Sequence, residues 1–238
     1  NKRELIIKME LKIQRNTTKD NKIIGNLQGE LADFVVRQYH EEFKGTNADF
    51  NKTMGEGEVL KHSNTIFNNF ANILLRQETG NTTKVLTGED VVQHWDSLPN
   101  RDSTYADTCG VAVYPNKGAN EEHRQRVLDI IGKDSTNIPL IVYGLKPVRC
   151  DNDDGFQFAE SDYILTKEAP YLQRDGKVQH DETLGNLVSS KKGVSVWTPS
   201  NQAGLRRLCR GRNDGLFAWD GILLYSNSYG RVQILQDP

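Results

Sequence analysis

Residues 203–232 read AGLRRLCRGRNDGLFAWDGILLYSNSYGRV. Two sets of residues interleave in this stretch. One is regular: Leu205, Arg206, Arg207, Leu208, Arg210, Leu216, Ala218, Leu223, Ser226, Gly230, Arg231 and Val232. The other is a scatter of small polar and aromatic residues: Gly211, Asn213, Asp214, Gly215, Phe217, Trp219, Asp220, Gly221, Ile222, Tyr225, Asn227, Ser228 and Tyr229. The second set has the composition of antibody-like paratopes, in which aromatics give contact area at low entropy cost and Ser, Gly and Asn adapt hydrogen bonds. Exposed substitutions shift stability by about 0.5 kcal/mol or less, whereas truncating a buried Leu costs about 2–5 kcal/mol. A stretch that tolerates variation must therefore turn the second set outward and keep Leu205, Leu208, Leu216 and Leu223 inward.

The same 30-residue stretch contains no Lys, Glu, Gln or Met, although Lys and Glu are frequent elsewhere in the chain. Randomising both adenines of an asparagine codon reaches Asn, Asp, Tyr, His, Ser, Thr, Gly, Arg, Cys, Phe, Leu, Ile, Val, Ala and Pro, but never Lys, Glu, Gln, Met or Trp. The exclusion fits adenine-directed mutagenesis, with Trp219 as the exception. The pattern LRRLCRxRxxxLxAxxxxLxxS from Leu205, followed by xxxGRV ending at Val232, resembles the variable region of diversity-generating retroelement target proteins of the archaeal type. The GGSW…GFR signature of the bacterial branch is absent. The resemblance covers about the last 35 residues and places a hypervariable ligand-binding region at about 201–232. It implies a C-type lectin fold whose variable side chains point into a solvent-exposed ligand site, with no cofactor or metal. No linker is polar enough to force a domain boundary, so a single domain over 1–238 is expected, and the aromatics suit a ligand that is a protein on another cell or virus. A surface-displayed or secreted setting follows from such a role.

Working outward, the remainder reads as α+β. Helical periodicity marks 27–43, where Leu31, Phe34, Val35, Tyr39 and Phe43 recur at three- and four-residue steps before Gly45. It also marks 64–76, a shorter helix opened by Thr87 with Glu89 and Asp90, and 120–131, with acids in the first turn. Ile7, Met9, Leu11 and Ile13 alternate with polar residues as a half-buried strand. In a C-type lectin fold that strand pairs antiparallel with one at 232–235. Further strands are expected at 110–114, 140–143, 163–165 and 194–198, with a short helix at 202–209. The polar stretch 167–192 reads as a surface excursion. Helices come first and strands later, without βαβ alternation.

Composition and motifs narrow the function classes. Basic residues number 30 and acidic ones 32, so the net charge of −2 gives no footprint for generic nucleic-acid binding. No apolar run approaches the roughly 20 residues of a membrane span. The first residue is Asn1, consistent with an N-terminal segment having been removed. Sequons at Asn16, Asn51 and Asn81 matter only on an exported chain. Three well-separated cysteines, Cys109, Cys150 and Cys209, match no zinc or redox spacing, and Cys109 has no histidine nearby to make it a nucleophile. Asp151, Asn152, Asp153, Asp154 and Gly155, with Glu160 downstream, evoke a calcium loop, but the register of an EF-hand fails. A metal-dependent nuclease using Asp151, Asp153 and Glu160, or a calcium-dependent sugar lectin, is the alternative to a binding protein. The simplest reading of those acids is a solvated turn.

Overall fold

The computed structural model describes residues 16–18, 20–49, 59–212 and 215–237. Among these residues it is a mixed α+β fold with four helices and largely antiparallel sheets, one of which curls into a half-barrel. The helices form where the sequence predicts them. Helix α1 spans Gly29–Phe43 and buries Leu31, Ala32, Val35, Tyr39 and Phe43, one stripe at helical spacing. Helix α2 spans Thr65–Thr79, with Asn64 accepting from the Phe67 N–H at its start and left-handed Gly80 at its end. The rings of Tyr39, Phe43, Phe67 and Phe70 pack the two helices together. Helix α3, Gly88–Gln93, opens with a capping box between Thr87 and Asp90. Helix α4 is Glu121–Ile130.

The curled sheet has nine strands. Its order runs β10 (Asn186–Ser190), β9 (Gly176–Asp181), β11 (Val194–Trp197), β13 (Leu216–Phe217), β12 (Leu205–Arg210), β4 (Tyr105–Val113), β5 (Leu140–Tyr143) and β8 (Leu165–Glu168), with β14 (Gly230–Arg231) alongside β4. The pairs β11–β13 and β14–β4 are parallel; the other pairs are antiparallel. Helix α3 packs against β9, β10, β12 and β13, and α2 against β4. A smaller sheet runs β1 (Asn16–Thr17), β2 (Ile23–Asn26), β15 (Gln233–Gln236) and β3 (Thr83–Val85). A separate hairpin pairs β6 (Lys146–Arg149) with β7 (Phe156–Ala159). One core cluster collects buried residues from both large sheets and the four helices.

Three expectations change. The strand expected at 163–165 begins only at Leu165, as β8, after a turn. The helix expected at 202–209 is strand β12, placed between β4 and β13. Leu205 and Leu208 at a three-residue step mimic helical spacing, but a strand flanked on both edges and buried on both faces has no alternation to display. The stretch 167–192 is not an excursion: it ends β8 and forms the β9–β10 hairpin. That hairpin sits at the sheet edge and turns only Val178 and Leu187 fully inward, so its composition stays polar. The 7–13 strand lies outside the described residues. The C-terminal strand β15 pairs antiparallel with β2, which the sequence did not reveal, and with β3.

Candidate functional site

The C-terminal stretch enters the sheet as β12, returns as β13, and then leaves it. From Ala218 to Tyr229 the chain has no regular secondary structure, and it rejoins the sheet at β14. Its regular positions point inward. Leu205, Leu208, Leu216, Ala218 and Val232 are fully buried and Leu223 nearly so. Its irregular positions point outward: Trp219 is 54% exposed, Ile222 62%, Tyr225 44% and Tyr229 51%. Ser228 is exposed, and Phe217, Asp220, Gly221 and Asn227 are half-buried.

Main-chain hydrogen bonds fix the path between. The Ala218 N–H donates to the Trp197 carbonyl (2.9 Å), the Arg207 N–H to the Asp220 carbonyl (3.0 Å), and the Thr65 N–H to the Leu223 carbonyl (3.1 Å). Asn120 donates through Nδ2 to the carbonyls of Leu205 (2.9 Å) and Gly221 (2.6 Å), stitching the loop to β12. At the far end the Tyr105 N–H donates to the Tyr229 carbonyl (3.2 Å), and the Tyr105 hydroxyl accepts from the Asn227 N–H (3.1 Å).

Two buried arginines of β12 support the surface from beneath. Arg207 makes a bidentate pair with Asp107, Nε to Oδ1 at 2.9 Å and Nη2 to Oδ2 at 2.8 Å. Its Nη1 reaches Asp220 Oδ2 at 3.3 Å, and its guanidinium lies 5.4 Å from the ring centroids of both Tyr105 and Tyr225. Asp107 also accepts from the hydroxyls of Ser63 (2.9 Å) and Thr65 (3.3 Å). Burial pushes the Asp107 carboxyl above the usual carboxylate range, against the pull of Arg207 and the two hydroxyls. Burial lowers Arg207 too, yet the acids around it, Asp107 foremost, raise it above its ordinary value. Among the described residues Arg210 donates only to neutral acceptors: Gln233 Oε1, the carbonyls of Arg101, Thr104 and Gly211, and the Thr104 hydroxyl. Burial there pushes the guanidinium down to about 10.

Several of the outward side chains have side-chain partners. Asn227 donates to the Tyr225 hydroxyl at 2.7 Å, and the Tyr229 ring lies 3.7 Å beneath the Arg212 guanidinium. The Phe217 ring stacks on Trp197 of β11, with centroids 6.1 Å apart and planes 19° apart. Trp197, Phe217 and Trp219, with Asp175, Arg206 and residues 198–201, line a cleft of about 670 Å³. Trp197 and Asp175 lie outside the stretch singled out from the sequence. The missing signal was the parallel pairing of β11 with β13, which sets Trp197 opposite Phe217 across 20 residues of chain.

Not every sequence-derived position faces solvent. Gly211 and Gly215 are buried. A Cβ on Gly211 would fall 2.0 Å from the Phe217 ring. Gly215 has φ +121°, where a Cβ would meet the Ser195 carbonyl oxygen at 2.0 Å. Both belong to the frame and not to the displayed surface. Asn213 and Asp214 lie outside the described residues.

No family model matches the chain, and comparison with curated proteins and with solved structures finds no match.

The remaining candidate chemistry is scattered. Asp151 and Asp153 are exposed in the turn between β6 and β7, and Glu160 lies beyond the far end of β7. The four residues of that strand separate the carboxylates by roughly 13 Å of chain. Among the described residues no three of His, Cys, Asp and Glu converge so as to hold a metal ion. Asp154 pairs instead with His123 Nε2 at 2.9 Å. Cys109 and Cys209 are buried, and burial pushes both thiols up to about 12, so neither supplies a thiolate near neutral pH. No helix among the described residues is long and apolar enough to cross a membrane.

Proposed function

We propose that this protein is a non-enzymatic ligand-binding protein that displays a hypervariable surface, diversified by a retroelement through adenine-directed mutagenesis, on a C-type lectin-like scaffold. Its ligand is a protein on another cell or virus. The observation that carries the reading is the division of labour in 216–232. Leu216, Ala218, Leu223 and Val232 are buried, whereas Trp219, Ile222, Tyr225 and Tyr229 stand 44–62% exposed. Four large exposed hydrophobic side chains in 11 residues of one irregular segment form the kind of patch that marks an interaction surface. Trp and Tyr are also the residues that dominate protein–protein hot spots. The lectin-like scaffold is supported by the C-terminal strand β15, which pairs antiparallel with β2 from the N-terminal part of the chain.

Two experiments test this. The neighbouring DNA should hold a reverse-transcriptase gene and a near-repeat of the segment encoding 201–232 that differs only at adenines; their absence counts against the retroelement. A library randomised at Phe217, Trp219, Asp220, Ile222, Tyr225, Asn227, Ser228 and Tyr229 should stay folded in most members and yield binders to unrelated target proteins. Wholesale unfolding of that library refutes the binding-surface reading.

A further inference from the structure

We infer that the cleft beside Trp197 and Trp219 is the anchor pocket of the proposed binding surface and takes a phenol ring, a tyrosine side chain of the protein partner. The inference rests on the binding-surface reading and names what its aromatic end recognises.

Shape comes first. Trp197 and Phe217 are register partners on parallel strands, so their stacked rings form a platform fixed by the sheet itself. Trp197 is 42% exposed, leaving indole surface open to the cleft, and Trp219 lines the same space. Such walls favour a flat aromatic guest in offset-stacked or edge-to-face contact.

Charge decides what the guest carries. Asp175 and Arg206 both line the cleft. Asp175 Oδ1 accepts from the Thr198 N–H (2.7 Å) and hydroxyl (3.1 Å), which orients the carboxylate; Oδ2 has no hydrogen-bond partner among the described residues. Arg206 spends Nε on the Ala203 carbonyl (2.8 Å) and Nη1 on the Trp219 carbonyl (3.1 Å), and Nη2 has no acceptor among the described residues. One acceptor and one donor of opposite charge therefore remain. A cationic guest would meet Arg206 and an anionic one Asp175. A neutral hydroxyl, donating to one and accepting from the other, satisfies both. A hexopyranose also carries hydroxyls, but each one desolvated needs a partner, and this wall is mostly apolar. A flat ring with a single hydroxyl at its edge is a phenol. Since Trp197 and Asp175 lie outside 201–232, those two members of the anchor would stay constant while Phe217 and Trp219 vary around them.

The full chain is titrated with N-acetyl-tyrosinamide, N-acetyl-phenylalaninamide and methyl α-glucopyranoside. The readout is the indole N–H resonances of Trp197 and Trp219, with Trp95, outside the cleft, as internal reference. The expected result is saturable shifts at Trp197 and Trp219. The tyrosine amide should bind about three- to tenfold tighter than the phenylalanine amide, the worth of one hydrogen bond. That preference should vanish in Asp175→Ala. Equal binding of the two amides, equal or tighter binding of the glucoside, or no saturable shift at either indole overturns the proposal. A library that folds and yields binders while the tyrosine preference is missing refutes the anchor alone; a library that unfolds refutes the reading beneath it.

Discussion

Replacing Arg207 with Met keeps the unbranched stem of the side chain and removes the guanidinium at the centre of the support. Asp107 would then be fully buried with only the hydroxyls of Ser63 and Thr65 to meet it. Breaking a buried pair by removing one partner costs about 3–5 kcal/mol, because the other charge is left uncompensated. For a chain of this length each kcal/mol moves Tm by about 2–4 °C, so the expected loss is about 6–20 °C by circular dichroism at neutral pH. The loss should depend on pH with a definite sign. The folded Asp107 carboxyl already sits above its usual range because burial raises it, and Arg207 is the strongest influence opposing that rise. Without Arg207 it rises further. A carboxyl raised on folding holds its proton more tightly in the folded state, so its contribution falls as pH rises through the raised value and returns on acidification. The variant should therefore recover stability, relative to the parent, on acidification. The double variant Asp107→Asn with Arg207→Met should lose less than the two single losses added together. A Met variant that melts within about 2 °C of the parent, or one whose deficit grows on acidification, would refute the reasoning.

Three further outcomes are expected. Replacing Phe217, Trp219, Asp220, Ile222, Tyr225, Asn227 and Tyr229 together with Ser and Asn should leave a cooperative melt while abolishing ligand binding; loss of the melt would mean that these side chains hold the core. Leu223→Ala alone, in the same segment but buried, should cost about 2–5 kcal/mol in a denaturant titration, and a cost below about 0.5 kcal/mol would contradict its anchoring role. Native protein treated with a thiol reagent near pH 8 should label only at half-buried Cys150, with Cys109 and Cys209 reacting once guanidinium is added; prompt native labelling of either would mean their burial is misjudged.

Helix α1 was legible because it buries one stripe at helical spacing, and for α3 Thr87 with Asp90 announced a start that the structure reproduces as a capping box. The inward and outward positions of 216–232 were legible for a related reason: Leu, Ala and Val hold the frame there, and polar or aromatic residues fill the gaps. Strand β12 was not, because two of its three arginines lie buried against Asp107, Thr104 and main-chain carbonyls contributed by residues about a hundred positions away. A basic residue with hidden partners reads as surface in any sequence. Strand β2 escaped for want of length, at four residues with Gly25 among them. Trp197 and Asp175 escaped the candidate site because they join it only through the pairing of β11 with β13 and through the Thr198 turn.

The loop from Ala218 to Tyr229 is held chiefly through peptide groups: its carbonyls at Asp220, Gly221, Leu223 and Tyr229 and its N–H groups at Ala218 and Asn227 carry the ties to the frame. Peptide groups are the same in every sequence. A change of side chain at Trp219, Ile222 or Tyr229 thus leaves these ties in place, so the path of the loop is set by its backbone and not by what those three positions display.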